Sequence, residues 1–439
     1  MISFWLQLAV VLACIFIGAR LSGVGIGLAG AFGLTILTFV FHLRPSSPPV
    51  NVLLIIISVV TVVSTLQAAG GLDYLVSIAE KILRKDPNRI TIIGPLVAYV
   101  FTMLAGTAYV ALSVFPVIAE VAFEAKVRPE RPISMSLVAS KIAITGSPMS
   151  AATVAMLALL APSGITLGQI ILVTVPAGFI GCLVGSLFVY KRGLELEDDP
   201  EFQRRLAAGE IQPPKGFVEK EHTPEARRSV WLFLVVIAVV VTMGTFKSLV
   251  PQWEVNGKIV RLSSPHTIEM LMLSASLLIV MLCKAKPAKI VSGSVFRAGM
   301  VGVIAIFGVA WMTDTFFIQH KDLFIRVCAD VVKAHPWTFS IALYCMAAIL
   351  FSQGATVAAI MPLGVSLGIP APYLIAMFPA VNATFVFPAT GTLVGAMSFD
   401  QSGSTRIGKF VLNHSFMMPG TVSIIAAVAS GFLLIWLLL

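Results

Sequence analysis

Apolar runs dominate this chain, and their lengths set the first expectation. Hydrophobic segments lie at about 3–19, 23–43, 50–69, 90–125, 133–161, 166–190, 229–250, 266–283, 294–317, 336–369, 371–399 and 411–437. An α-helix crosses a bilayer in about 20 residues at about 1.5 Å rise each, so most of these predict single membrane passes. Segments 90–125 and 336–369 are too long for one pass, and each carries a polar, small-residue break near its middle. The breaks are Ala105-Gly106-Thr107-Ala108 and Phe351-Ser352-Gln353-Gly354-Ala355-Thr356. A second break follows in each half, Thr145-Gly146-Ser147-Pro148-Met149-Ser150 and Phe387-Pro388-Ala389-Thr390-Gly391-Thr392. Backbone polar groups in lipid must be satisfied internally, so such breaks persist only where protein or a water-filled cavity faces them. Recurrence in two halves points to a transporter with its substrate site near the midplane, and to two re-entrant hairpins.

The distribution of lysine and arginine orients this pattern. With both long segments as hairpins, 22 basic residues fall in loops predicted to be cytoplasmic and seven outside, with Lys141 left within the membrane. That asymmetry follows the positive-inside rule. The expected fold is an all-α polytopic membrane protein with about ten transmembrane helices, two re-entrant hairpins and broken helices. Five passes per half make two inverted repeats, 1–190 and 229–439, with both termini periplasmic. A shift of 246 residues relates Pro116 to Pro362 and an amphipathic stretch at 72–86 to one at 318–333. These stretches are expected as interfacial helices joining a moving unit to a fixed one. Residues 191–228, with eight basic and nine acidic side chains, predict a solvated cytoplasmic linker.

Composition removes other classes. The chain is 58% hydrophobic and 12% charged, about half the charge of a soluble domain. The net charge of +9 is spread over short loops, unlike the clustered basic face of a nucleic-acid binder. Five scattered cysteines form neither a disulfide framework nor a metal pair. Gly25-Ile26-Gly27-Leu28-Ala29-Gly30 fits the dinucleotide fingerprint and Gly364-Val365-Ser366-Leu367-Gly368 a nucleophile elbow, but neither joins a strand to a soluble helix as that chemistry requires. The first fits close helix packing better, with Gly23 and Gly27 as a GxxxG step. No enzyme activity, metal or cofactor is expected.

The chemistry rests on what stays polar inside the membrane. An intramembrane ionisable group costs several kcal/mol unless it faces a cavity or a partner. Lys141 lies four residues, about one helical turn, before the start of the Thr145-Gly146-Ser147-Pro148 break, where it suits an anionic substrate or pairs with Asp314 or Glu120. Broken-helix ends present unpaired N–H groups and positive dipole ends to carboxylates. The candidate substrate-binding set is Gly106, Thr107, Lys141, Ser147, Pro148, Ser150, Ser352, Gln353, Thr356, Pro388, Thr390 and Thr392.

Gly70-Gly71-Leu72-Asp73, the run Phe115 to Ala122, the Ser147-Pro148 break, Gly308-Val309-Ala310-Trp311 and the run Thr405 to His414 with Pro419-Gly420 resemble the anaerobic C4-dicarboxylate transporter (Dcu) family along nearly the whole chain. The resemblance implies exchange or uptake of fumarate, succinate, malate and aspartate across a bacterial inner membrane. Its wider ion-transporter superfamily implies inverted repeats, dimers and an elevator mechanism. The family commonly has Gln where Lys141 stands, Gly followed by Asn or His at Ala108-Tyr109, and Pro-Thr-Tyr-Pro at Pro388-Ala389-Thr390-Gly391. A cation-coupled carrier of another organic anion, and an anion channel or sensor, stay open as alternatives.

Overall fold

The structure, a computed structural model, describes residues 2–21, 24–48, 50–211, 221–255, 258–387, 390–407 and 413–438. The first half runs α1 (Ile2–Leu21), α2 (Gly25–Phe39), α3 (Val50–Ala68), α4 (Gly71–Lys85), α5 (Ile90–Ala105), a 3₁₀ turn (Ala108–Ser113), α6 (Phe115–Glu124), α7 (Glu130–Gly146), α8 (Ala151–Leu160) and α9 (Leu167–Val189). A short helix α10 (Pro200–Ala207) precedes the second half. There follow α11 (Pro224–Thr245), strands β1 (Gln252–Val255) and β2 (Lys258–Arg261), α12 (Ser264–Leu282), α13 (Pro287–Ser292), α14 (Ser294–Ala334), α15 (Phe339–Leu350), α16 (Gln353–Ser366), α17 (Ala371–Met377), α18 (Gly391–Ser398) and α19 (Met417–Leu438). By length and apolar composition seven described helices can cross a membrane, or eight with the α3–α4 pair taken as one bent span. Four shorter apolar helices, at Ser3–Gly18, Gly25–Phe39, Pro336–Leu350 and Ala371–Asn382, accompany them.

The order of elements repeats. The bent pair α3–α4, hairpin α5–α6, broken pair α7–α8 and long α9 are followed in the second half by α14, hairpin α15–α16, broken pair α17–α18 and long α19. The bends differ in their causes. Between α3 and α4 the chain turns by 73° at Gly70, whose φ of +80° lies in the left-handed region that glycine enters at little cost. In α14 the backbone leaves helical geometry at His320 (φ −111°, ψ 15°), so the apolar span ends at a kink there and the second amphipathic stretch runs on from it as a separate helical piece; its side chains at 324–333 lie outside the described residues.

Two layers pack against each other. One holds α1, α2, α3, α11, α12 and α14; the other holds the two hairpins with α7, α9, α17 and α19. They meet where α3 and α14 face α8 and α16. The glycine segment in α2 is a packing surface: a Cβ on Gly308 of α14 would collide with the Gly27 carbonyl oxygen, while Gly23 of the expected GxxxG step lies outside the described residues. Only a hydrogen fits there, which brings the backbones of α2 and α14 together.

The helical membrane fold is as expected, with one small addition: β1 and β2 pair antiparallel from Gln252↔Arg261 to Val255↔Lys258, because this short connection between α11 and α12 satisfies its backbone by folding on itself. One expectation needs correction: the stretch after α9 is not free solvated chain, since Leu196, Asp199 and Phe202 are buried. Arg128 binds Asp199 at 2.5 Å, Arg131 binds Glu195 at 3.0 Å, and Lys126 binds Glu197 at 2.8 Å. The mixed charges therefore dock this segment against the start of α7.

Candidate functional site

The breaks serve first as helix starts. Thr107 caps the 3₁₀ turn by accepting from the Tyr109 N–H, Ser150 caps α8 by accepting from Thr153, and Ser352 caps α16 by accepting from Ala355. Small hydroxyl residues suit these positions because they take up an orphan N–H of the first turn. The hairpin tips turn in the left-handed region, at Gly106 with φ +69° and at Phe351 with φ +53°. A Cβ at Gly106 would lie 2.9 Å from the Met149 carbonyl oxygen, so the first tip admits glycine alone for both space and conformation. Phe351 holds a backbone geometry that non-glycine residues rarely adopt, and such strain clusters at ligand sites.

These starts converge on one cavity of about 190 Å³ between α3 and α14 on one side and the two tips with α8 on the other. Of the predicted residues it brings together Gly106, Thr107, Lys141, Ser352, Gln353, Thr390 and Thr392. Ala151 and Ala152 of α8, Gln353 and Gly354 of α16, and Thr392 of α18 all line it. First-turn N–H groups have no acceptor within their own helix, so three helix N-termini, joined by the 3₁₀ turn at Ala108 and Tyr109, present positive dipole ends to one space.

Lys141 supplies the full charge. It is only 4% exposed and lines the cavity. Among the described residues no carboxylate pairs with it: Glu120 binds Arg84 at 3.3 Å, and Asp314 lines a different cavity beside Ser47. Neither pairing expected for Lys141 is formed. A buried, unpaired ammonium is costly in a membrane, and an anion in the cavity removes that cost.

Other predicted residues take structural roles. Ser147 accepts from the Met149 N–H, Ser150 Oγ also donates to the Ile144 carbonyl at 2.6 Å, and Thr356 Oγ1 donates to the Ser352 carbonyl at 2.7 Å. These three, with the buried Pro148, stand outside the cavity lining; Pro388 lies outside the described residues. Three residues stand outside the predicted binding set. Tyr109, marked in the sequence only as a departure from the family pattern, and Phe351, marked only by its place in the second tip, line the cavity. Asn382 is fully buried, donates to Thr145 Oγ1 at 3.1 Å and leaves its Oδ1 without a partner. A lone amide within an apolar run ahead of the second break was its available signal.

A larger cavity of about 490 Å³ opens beside the start of α7. Its buried arginine, Arg131, is held by Glu195 and by the Arg192 carbonyl, Glu130 adds a carboxylate to the wall, and Arg192 and Arg406 line it with exposed side chains. The smaller cavity is the better intramembrane anion site because its one charged side chain is buried, without an ion pair among the described residues, and faced by helix N-termini.

A bundle of broken helices whose N-termini surround an unpaired cation defines a membrane transporter. The model of the anaerobic C4-dicarboxylate membrane transporter family matches residues 3–439, and the chain belongs to that family. It is 41% identical over 433 residues to the C4-dicarboxylate transporter DcuA of Wolinella succinogenes, covering 99% of each chain. To the C4-dicarboxylate transporter DcuA of Helicobacter pylori (strain ATCC 700392 / 26695) it is 39% identical, covering 98% of each. In fold it is similar to the crystal structure of the Alcanivorax borkumensis YdaH transporter, with a TM-score of 0.53 at 14% identity, covering 92% of this chain and 88% of that one.

Proposed function

We propose that this chain is a secondary transporter that exchanges or takes up C4-dicarboxylates such as fumarate, succinate, malate and aspartate across a bacterial inner membrane. The observation that carries the reading is the unpaired Lys141 in a cavity ringed by helix N-termini. A dianion needs two positive poles. Lys141 supplies one, and the starts of α8 and α16 with the 3₁₀ turn supply another. The volume of about 190 Å³ equals about six waters at roughly 30 Å³ each, which suits a four-carbon diacid. The family and the named activities of the relatives supply the substrate class. The test is counterflow in liposomes: purified protein loaded inside with unlabelled succinate should accumulate labelled fumarate, and a leak without accumulation would make it a channel.

The two halves, 1–190 and 229–439, are proposed to be inverted repeats, with the layer of α1–α3, α11, α12 and α14 fixed and the hairpin layer moving as an elevator. Their repeated element order supports this reading. Cysteines placed in 200–207 of intact cells should resist an impermeant thiol reagent, while a cysteine near Leu438 should be labelled; the reverse pattern would overturn the orientation.

The hydroxyls separate by position. Thr390→Ala is expected to weaken dicarboxylate affinity several-fold, the equivalent of about 1 kcal/mol for one neutral hydrogen bond. Thr356→Ala, whose hydroxyl is spent on its own helix, should leave affinity nearly unchanged. Uptake kinetics with the two effects exchanged would move the site toward the middle of α16.

A further inference from the structure

Asp314 is a membrane-embedded carboxylate with no role in the site described so far. It lies on α14 in a second cavity of about 220 Å³, whose other walls are Ser47, Ala155 and Ala158 of α8, and Val357, Ala358 and Pro362 of α16. Ser46 stands close by, bonding the hydroxyl of the neighbouring Thr315 through its N–H at 3.1 Å and its Oγ at 3.2 Å.

Both cavities lie along the same four helices. On α14 the substrate cavity is lined by Gly299, Gly302 and Ile306, and the second cavity by Ala310 and Asp314, a spacing of three and four residues that keeps all of them on one helical face. On α3 the lining passes from Ile56 to Val52, on α8 from Ala152 to Ala155, and on α16 from Gly354 to Val357. Each of these steps is about one turn of helix. An apolar cluster that includes Ile56, Ile306, Ala310 and Ala355 fills the boundary. The second cavity is therefore an antechamber, one apolar layer from the substrate site.

A carboxylate in that antechamber opposes the passage of a dianion. Removing the charge is a matter for the proton, because the cavity offers too few oxygens to coordinate a metal cation: its polar side chains are Asp314 and Ser47. No other ionisable side chain among the described residues lines it from α3, α8, α14 or α16. On the remaining faces of α14, Cys14 of α1 packs near Met312 around Gly33, and His320 bonds Gln7 of α1 at 2.6 Å. Two and six residues from Asp314, both point away from the cavity.

We propose that Asp314 is a proton-binding site on the substrate route, taking a proton from water on its own side so that the dianion passes a neutral wall, and returning it afterwards. This rests on the dicarboxylate-carrier reading. The test is counterflow of fumarate, which stays a dianion throughout, with pH equal on both sides and stepped from about 8 to about 6. The wild type should speed up severalfold, up to about tenfold for the loss of one like-charge contact. Asp314→Asn, which keeps the shape of the side chain, and Asp314→Ser should both lose most of this acceleration. Ser46→Ala should keep the pH response, whereas a purely structural role in holding the Ser46 loop would make it behave like Asp314→Asn. A flat wild-type profile, or an undiminished pH response in either neutral variant, overturns the proposal; so does loss of a sodium requirement in Asp314→Asn, tested by replacing sodium with choline. Absence of counterflow in the wild type at every pH would instead sink the carrier reading itself.

Discussion

Lys141→Gln is expected to yield a folded, inserted protein whose apparent KM for C4-dicarboxylates rises about tenfold or more, the equivalent of about 1.5–3 kcal/mol for a charged hydrogen bond removed from a desolvated site. The structure argues for a folded variant because the ammonium forms no ion pair among the described residues, so no buried carboxylate is stranded by its loss. Glutamine is of similar length and remains polar. Selectivity is the sharper readout. In the proposed site a dicarboxylate would engage Lys141 with one carboxylate and the helix N-termini with the other, whereas a monocarboxylate would be free to shift wholly onto the N-termini. The KM for succinate should therefore rise much more than that for a four-carbon monocarboxylate. Equal weakening for both would place the ammonium away from the substrate. A variant that fails to assemble would show that Lys141 has a structural partner after all.

The fold was legible because membrane solvent leaves few options. Long apolar runs must be helices, and the four breaks could not lie against lipid; each of them indeed ends or begins a described helix. The positions of the breaks also located the cavity. What the sequence left ambiguous was which hydroxyls meet a ligand. Serine and threonine are favoured at a helix start for capping and at an anion site for donation, and the two demands fall on the same residues. Thr107 and Ser352 cap their helices and also line the cavity, while Ser150 caps α8 and turns its hydroxyl to the Ile144 carbonyl. Lys141 was legible as a cation in the wrong solvent, but its partners were not, since pairing depends on which helices adjoin. Glu120 is drawn to Arg84 across the α4–α6 contact, and Asp314 stands one apolar layer away on α14. Tyr109 and Phe351 carried no chemical signal of their own, because an aromatic residue near a hairpin tip is equally at home in lipid.

The docked segment after α9 was misread for a related reason, and its test has the largest expected effect on stability. Charge alternation in 191–207 resembles a solvated chain, yet the charges are matched to a specific surface. Arg128 is 4% exposed and binds Asp199, with Glu130 at 2.7 Å on its other side. Phe202 packs edge-on against Phe123 of α6 with ring centroids 6.0 Å apart. Arg128→Ala leaves Asp199 buried without its cation and should cost about 3–5 kcal/mol, as for other buried pairs broken on one side. Arg128→Met combined with Asp199→Asn should recover most of this, because asparagine retains the oxygen that caps α10 through the Glu201 and Phe202 N–H groups. The effect of pH has a definite sign. Burial opposes ionisation of Asp199, but the N–H of Phe202, the Arg128 charge and the N–H of Glu201 outweigh it and hold the carboxyl below its usual range. A carboxylate with a depressed folded pKa contributes stability that is complete above its unfolded value of about 3.9 and is lost as pH falls through the folded one. The melting difference between wild type and Arg128→Ala in detergent should accordingly be full at neutral pH and shrink below about pH 4. Equal melting of the two at neutral pH would mean that the segment is not docked, and the solvated linker predicted from its charge pattern would stand.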